Sequence, residues 1–371
     1  MPRLSSPAAD LFLSRRSLLL AGAAAPLLAV LPAAAQQGAA RPTRFFQIGT
    51  GTTGGTYFVI GGILANAISN PPGSPACDRG GSCGVPGLIA VAQASSGATE
   101  NVTTIGDGRL DSGLIQADIA HEAVTGAGPF AGRAVAELRA IANLYTETIH
   151  LVVRADAGVK TIADLKGKRV SLGEAQSGTV VTARNLLALY GLTEKRIKPV
   201  FLGPGASADQ MATNRLDAFF IVGGYPLPAV ADLAARLPIA LVPLDDARIA
   251  RLVARQPFFS AALIEAEAYP GVPMTRTLGV GAGWLTHARA DPDLIFGITR
   301  ALWHPHTLQM LKDGHPRGGS ILPAQATQGL SVPLHPGAAR YYQQAGMALP
   351  QVGSTALPAA ATTAPAKPVP R

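Results

Sequence analysis

RFFQIGTGTTGGTYF, residues 44–58, opens on a strand-like run, Arg44–Ile48, and passes into a loop of glycine and threonine, Gly49–Thr56. It then enters Tyr57–Ser69, where Phe58, Ile60, Ile63, Leu64 and Ile68 recur at helical spacing. The same order returns downstream: Leu88–Ala94 reads as a strand, Ser95–Thr99 as a loop, and Glu100–Gly106 as a helix stopped by glycine. Leu114-Ile115 then lead into Gln116 and Asp118, where a short strand meets another helix. Alternation of this kind predicts parallel sheet with helical crossovers.

A second unit of the same plan begins at Ile149–Arg154, a strongly apolar strand. Thr161–Leu165 starts a short helix, Arg169–Gly173 is a strand, Glu174–Gly178 a loop, and Thr179–Tyr190 a helix ending at Gly191. Lys198–Leu202 and Ala218–Val222 extend the sheet. Beyond Met274, a strand at Leu278–Ala282 and a helix at Pro292–Leu311 are assigned back to the first unit. The expected division is therefore lobe 1 at 42–148 with 274–349, lobe 2 at 149–273, and a disordered Pro/Ala/Thr tail at 350–371.

Residues 1–35 read as an export signal and are set aside from the fold. Arg3, Arg15 and Arg16 precede the apolar run Leu18–Leu31, which is short for a membrane span and ends at Ala33-Ala34-Ala35, an A-x-A cleavage pattern. Ser14–Leu19 also resembles a twin-arginine signal, with Leu where Phe is usual, so ordinary secretion and twin-arginine export both stay open. Removing three arginines and one aspartate takes the net charge from +8 to +6. The basic residues are dispersed and lack interleaved aromatics, which argues against nucleic acid as a partner, whereas a mildly positive field suits capture of an anion. Cys77 and Cys83 lie in a Pro/Gly-rich loop. In an oxidising compartment they read as a local disulfide, with two free thiols or a zinc half-site as alternatives.

Four loops sit where strands end: Gly49–Thr56 with Thr52 and Thr53, Ser95–Thr99 with Ser95 and Ser96, Gln116–Asp118, and Gln176–Thr179 with Ser177, Gly178 and Thr179. In open parallel sheets ligands bind beyond the carboxyl ends of strands. Glycines there let the backbone approach, helix starts attract negative charge, and hydroxyls add donors. These loops contain no Arg or Lys, so an anion would be held by uncharged donors. A single loop of this type is more often a turn and helix cap; several at equivalent places in two units favour binding. Gly49-x-Gly51-x-x-Gly54 fits a dinucleotide fingerprint but lacks the acid that should end the next strand, and Gly173–Thr179 has phosphate-loop spacing without its lysine. No cofactor is implied. His304, His306 and His315 lack metal-ligand spacing, no G-x-S-x-G elbow occurs, and no catalytic residue is assigned.

The chain resembles the TAXI-type solute receptors of TRAP (tripartite ATP-independent periplasmic) transporters from about Phe46 to about Gly346. The likeness rests on Ile48–Phe58, Ser95–Asn101 (SSGATEN), Leu114–Asp118 (LIQAD), Leu144-Tyr145 with Glu147 and His150, Thr161–Val170 (TIADLKGKRV), Ser177-Gly178-Thr179 and Pro333–Gly337 (PLHPG). It departs at Thr146, where proline is common, at Gly97-Ala98, where Gly-Ser is usual, and in the cysteine loop. The resemblance implies an α/β, two-lobed periplasmic binding protein of type II-like plan, each lobe a mostly parallel sheet flanked by helices, hinged between lobes. It further implies a monomeric, non-enzymatic receptor that hands a carboxylate or amino acid to the membrane subunits of a TRAP-type transporter. A ligand sensor of the same fold, or a periplasmic enzyme using the cleft, are the alternatives. Tyr145, in a motif of this resemblance, joins the site, as do Tyr57 from the first loop and, by its place after the strand ending at Val222, Gly224 of Gly223-Gly224-Tyr225.

Overall fold

A computed structural model describes residues 42–349. The leader with its cleavage point and the Pro/Ala/Thr tail lie outside the described residues. In chain order the strands are β1 (Arg44–Gly49), β2 (Ser69–Asn70), β3 (Val85–Pro86), β4 (Leu88–Gln93), β5 (Ser112–Gln116), β6 (Leu138–Arg154), β7 (Arg169–Ser171), β8 (Lys198–Val200), β9 (Ala218–Gly223), β10 (Ile239–Leu241), β11 (Phe259–Ile264) and β12 (Thr275–His287). The helices are α1 (Thr56–Ile68), α2 (Ala98–Gly106), α3 (Ala117–Thr125), α4 (Gly178–Leu189), α5 (Pro204–Ala212), α6 (Pro228–Arg236), α7 (Ala247–Arg255), α8 (Pro292–Leu302), α9 (Pro305–Gly314) and α10 (Pro336–Gln344).

Two parallel wings form the sheet, β4-β1-β5 on one side and β9-β7-β8 on the other. Between them runs an antiparallel seam of two long strands. Residues 138–148 of β6 pair with β12, and residues 148–153 of the same strand pair with β9. β12 in turn pairs with β5, so the seam stitches one wing to the other through continuous backbone hydrogen bonds. Most of β6 is buried, including the strongly apolar run Ile149–Val153 that the sequence marks as a strand. This is the α/β arrangement, with parallel strands flanked by helices, expected from the sequence. The expected division between lobes at 148/149 falls inside β6 rather than in a linker.

Helix placement follows from side-chain spacing. Ile60, Leu64 and Ile68 line one face of α1 and pack with Phe46 and Ile48 of β1. Gly61 permits this approach, because a Cβ there would lie 2.3 Å from the Thr50 methyl group. The helix expected across Pro292–Leu311 is two helices. Pro305 has no N–H to continue the ladder and becomes the first residue of α9, while His304 caps it by accepting from the His306 N–H at 3.2 Å. Cys77 and Cys83 are joined in a disulfide with Cα atoms 4.7 Å apart, so of the three alternatives for this pair the disulfide is realised. His304 Nε2 lies 3.7 Å from Cys77 Sγ, but both sulfurs are already bonded to each other.

Trp284 of β12 is fully buried and its indole N–H donates to Ser112 Oγ at 3.0 Å, tying the seam to the first wing. Trp284→Ala should destabilise the protein by about 3–5 kcal/mol in urea unfolding. Loss of the Cys77–Cys83 bond closes no long loop and should cost only about 2 kcal/mol, with no alkylatable thiol in unreduced protein.

Candidate functional site

Five helices begin at one place. The loops before α1, α2, α4 and α5 and the strand end before α3 converge on a cavity of about 80 Å³, together with the end of β9. Each helix start presents N–H groups without intrahelical partners, and the helix dipoles add partial positive charge there. Most helix N-caps here are made without a side-chain acceptor, as at Gly55, Gly97, Gln116 and Gly203. α4 is different: Ser177 Oγ accepts from Val180 N–H at 3.1 Å and reaches the Glu174 carbonyl at 2.7 Å.

Seven of the residues expected from the sequence line this cavity: Thr52, Tyr57, Ser96, Gln116, Ser177, Gly178 and Thr179. Their uses differ. The Ser177 hydroxyl serves the helix cap, and Thr179 Oγ1 accepts from Val222 N–H at 3.3 Å, linking α4 to β9. Gly178 sits so close to Gln116 that a Cβ would fall 1.7 Å from Gln116 Oε1. Gln116 Nε2 approaches Thr182 Oγ1 at 3.4 Å, and Thr182 donates to Asp118 Oδ2 at 2.8 Å, a chain that crosses from α3 to α4.

The other four expected residues are not among those lining the cavity. Thr53 is exposed. Ser95 Oγ lies 2.8 Å from Asn101 Oδ1 and accepts from Gly97 N–H at 3.1 Å, so it shapes its own loop. Gly224 is bonded through its backbone to Thr56 Oγ1, which accepts from Gly224 N–H at 3.2 Å and donates to its carbonyl at 3.0 Å. Tyr145 is buried behind Gly224, and its hydroxyl has no hydrogen-bond partner among the described residues.

Sequence reasoning missed the most consequential lining residue as a site residue. Glu147 projects from β6 where the strand passes from one wing to the other, and it accepts from the Tyr57 hydroxyl at 2.7 Å through Oε2. The signal was present: one acid in the buried apolar strand LRAIANLYTETIHLVVR. Burial pushes its carboxyl up to about 8, the Tyr57 hydrogen bond opposes this, and the negative charge of Asp118 adds to it. Burial likewise raises Asp118 to about 7, against the Thr182 hydrogen bond. Burial lowers His150 to about 4, keeping it neutral, and its ring is engaged by the Thr148 carbonyl and the Tyr269 hydroxyl. The only ionisable carboxyls lining the cavity are Glu147 and Glu174, and no Lys or Arg lines it.

Contacts between the wings close around this space. Besides Thr56–Gly224, Thr99 Oγ1 donates to the Ser177 carbonyl at 3.3 Å, Glu100 N–H donates to the Gln176 carbonyl at 3.2 Å, and the Arg317 guanidinium lies 3.8 Å over the Tyr225 ring. The cavity is thus small and strapped on more than one side.

A carboxyl whose folded-state titration lies above its ordinary 4.5 binds protons more tightly folded than unfolded, so its contribution to stability falls as pH rises from about 4.5 to about 8. Glu147→Gln should therefore flatten this loss, to the extent that the free protein keeps the carboxyl buried, by at most about 1.4 kcal/mol per pH unit, measured by thermal or urea unfolding across that range.

The NMT1-like family matches residues 48–346. Among solved structures, the alkanesulfonate-binding protein SsuA from Xanthomonas axonopodis pv. citri bound to MOPS is 16% identical, with 81% of this chain and 84% of that one covered at a TM-score of 0.44. The periplasmic aliphatic sulphonate binding protein SsuA from Escherichia coli is 14% identical, with 82% and 88% covered at 0.41. A putative L-cystine ABC transporter from Listeria monocytogenes is 14% identical, with 78% and 100% covered at 0.42. Similarities this distant transfer no ligand.

Proposed function

The chain belongs to the NMT1-like family, and from that footing we propose that it is a periplasmic solute receptor, not an enzyme, which closes two lobes around a small organic anion, a carboxylate or amino acid. The observation that carries this reading is the convergence of five helix N-termini from both wings on one cavity lined by no cation. Such a site holds an anion through backbone N–H groups and helix dipoles, each hydrogen bond to the charge contributing roughly 1.5–3 kcal/mol. Two of the lining hydroxyls are committed to the fold: Ser177 caps α4 and Thr179 serves β9.

In this reading residues 42–148 with 274–349 form one lobe and 149–273 the other, and β6 and β12 flex at the seam. An open form samples closure, and a solute that touches both lobes stabilises the closed form by its differential affinity. Residues 1–35 direct export and are removed. The closed receptor then delivers its solute to the membrane subunits of a TRAP-type transporter, a step suggested by the motifs shared with TAXI receptors. The described cavity is well below the roughly 300–1,000 Å³ of drug-sized pockets, which favours a solute of few heavy atoms.

A thermal-shift panel of small carboxylates and amino acids tests the reading, followed by small-angle scattering with the best stabiliser. Stabilisation accompanied by contraction is expected. Gly178→Ala should displace Gln116 and hold the lobes apart, weakening that solute by about tenfold or more with little change in the melting temperature of the free protein. Affinity unchanged in Gly178→Ala, or no contraction with any stabilising solute, would count against closure at this cavity.

A further inference from the structure

Glu147 presents two oxygens to different surroundings. Oε2 receives the Tyr57 hydroxyl, while Oε1 has no protein partner among the described residues and the side chain lines the cavity. Next to it stands Tyr145, fully buried with an unpartnered hydroxyl. Tyr145 lies behind the lining, so of the two it is the Glu147 side chain, at the cavity wall, that a ligand atom can reach. We propose that Glu147 is a binding residue that enters the closed complex as a neutral acid, donating from Oε1 to a ligand oxygen while Tyr57 holds Oε2, so that capture of an anion takes up one proton.

This rests on the anion reading above and adds the protonation state and the residue that sets it. The surroundings exclude the ionised alternative for an anionic guest. From α1 comes Tyr57, from α3 the acid Asp118, from β6 itself Tyr145, and from the loop before α4 the acid Glu174. The cation Arg317 acts on Tyr145 and is stacked on Tyr225, outside the lining. An ionised Glu147 would thus face an incoming carboxylate with no countercharge between them. A neutral one replaces repulsion by a donated hydrogen bond, and it rejects guests that offer only donors at that point. In the open form water reaches the carboxyl and its proton is released at neutral pH; closure removes that water and recovers the proton.

Acetate is the probe, because it stays ionised from about pH 6 to about pH 9 and any pH dependence then belongs to the protein. Its apparent dissociation constant is read from melting shifts at constant ionic strength in the full chain. Calorimetry in two buffers of different ionisation heat counts protons on the unmodified protein. Uptake of close to one proton at neutral pH is expected, with affinity falling about tenfold per pH unit in the alkaline part of the range. Glu147→Gln, whose amide keeps an acceptor for Tyr57 and a donor for the ligand, should bind acetate at every pH about as well as the unmodified protein does at the low end, with a flat profile, whereas Asp118→Asn should keep the slope. Acetate binding without proton uptake and with one affinity at every pH would overturn this inference while leaving the anion receptor standing. So would affinity that rises with pH for methylammonium, which would make Glu147 an ionised cation ligand. No effect of acetate on either protein at any pH would remove the anion reading, and this inference with it.

Discussion

One strand holds the molecule together: β6 runs unbroken for 17 residues and changes partners midway, from β12 to β9, at Thr148. Each wing alone is a short parallel sheet, and only through this strand do the two become one hydrogen-bonded surface. The constraint places the cavity as well, because the carboxyl ends of both parallel wings face each other across the point where β6 crosses. In the proposed closure, this strand would keep its backbone bonds while its neighbours move. The irregular register of β12 against β6, at Ala282/Gly283 and Trp284/Leu285, occurs within this seam.

Placing Glu147 at the crossing has a cost that shapes the chemistry. Burying a carboxyl without a cation favours its neutral form, and the neutral form is a donor where the ionised form is an acceptor only. The cavity therefore combines backbone N–H groups at helix starts with a buried acid, instead of the arginine clamp common where affinity for carboxylate is built from fixed charge. A clamp binds across a wide pH range. A cavity built from amides and one protonated acid is sensitive to pH and to the shape of the guest.

Much of the fold was legible in residues 44–58 alone, since a strand, a glycine loop and a helix in that order specify a parallel crossover. The convergence of the loops was legible for the same reason: strand ends in parallel sheets point one way. The sequence concealed how the hydroxyls are spent, because a serine that caps a helix and one that awaits a ligand look alike. Ser95 and Ser177 turned inward to their own loops, and Thr56, which was not singled out, latches Gly224 across the seam. The break at Pro305 was written in the sequence, but apolar periodicity on both sides hid it. β6 was harder: Arg139 and Asn143 interrupt its apolar run, and only pairing with β12 shows that the strand starts at Leu138. Tyr145 entered through resemblance, and Glu147 stood in the same motif without being assigned to the site.

The most direct test of a receptor for small anions is mass spectrometry of whatever small molecule is released when the full chain, purified without added solute, is denatured. The account predicts a compound of few heavy atoms carrying a carboxylate, in up to one copy per chain. A released compound with no acidic group, whether neutral or purely cationic, would contradict it.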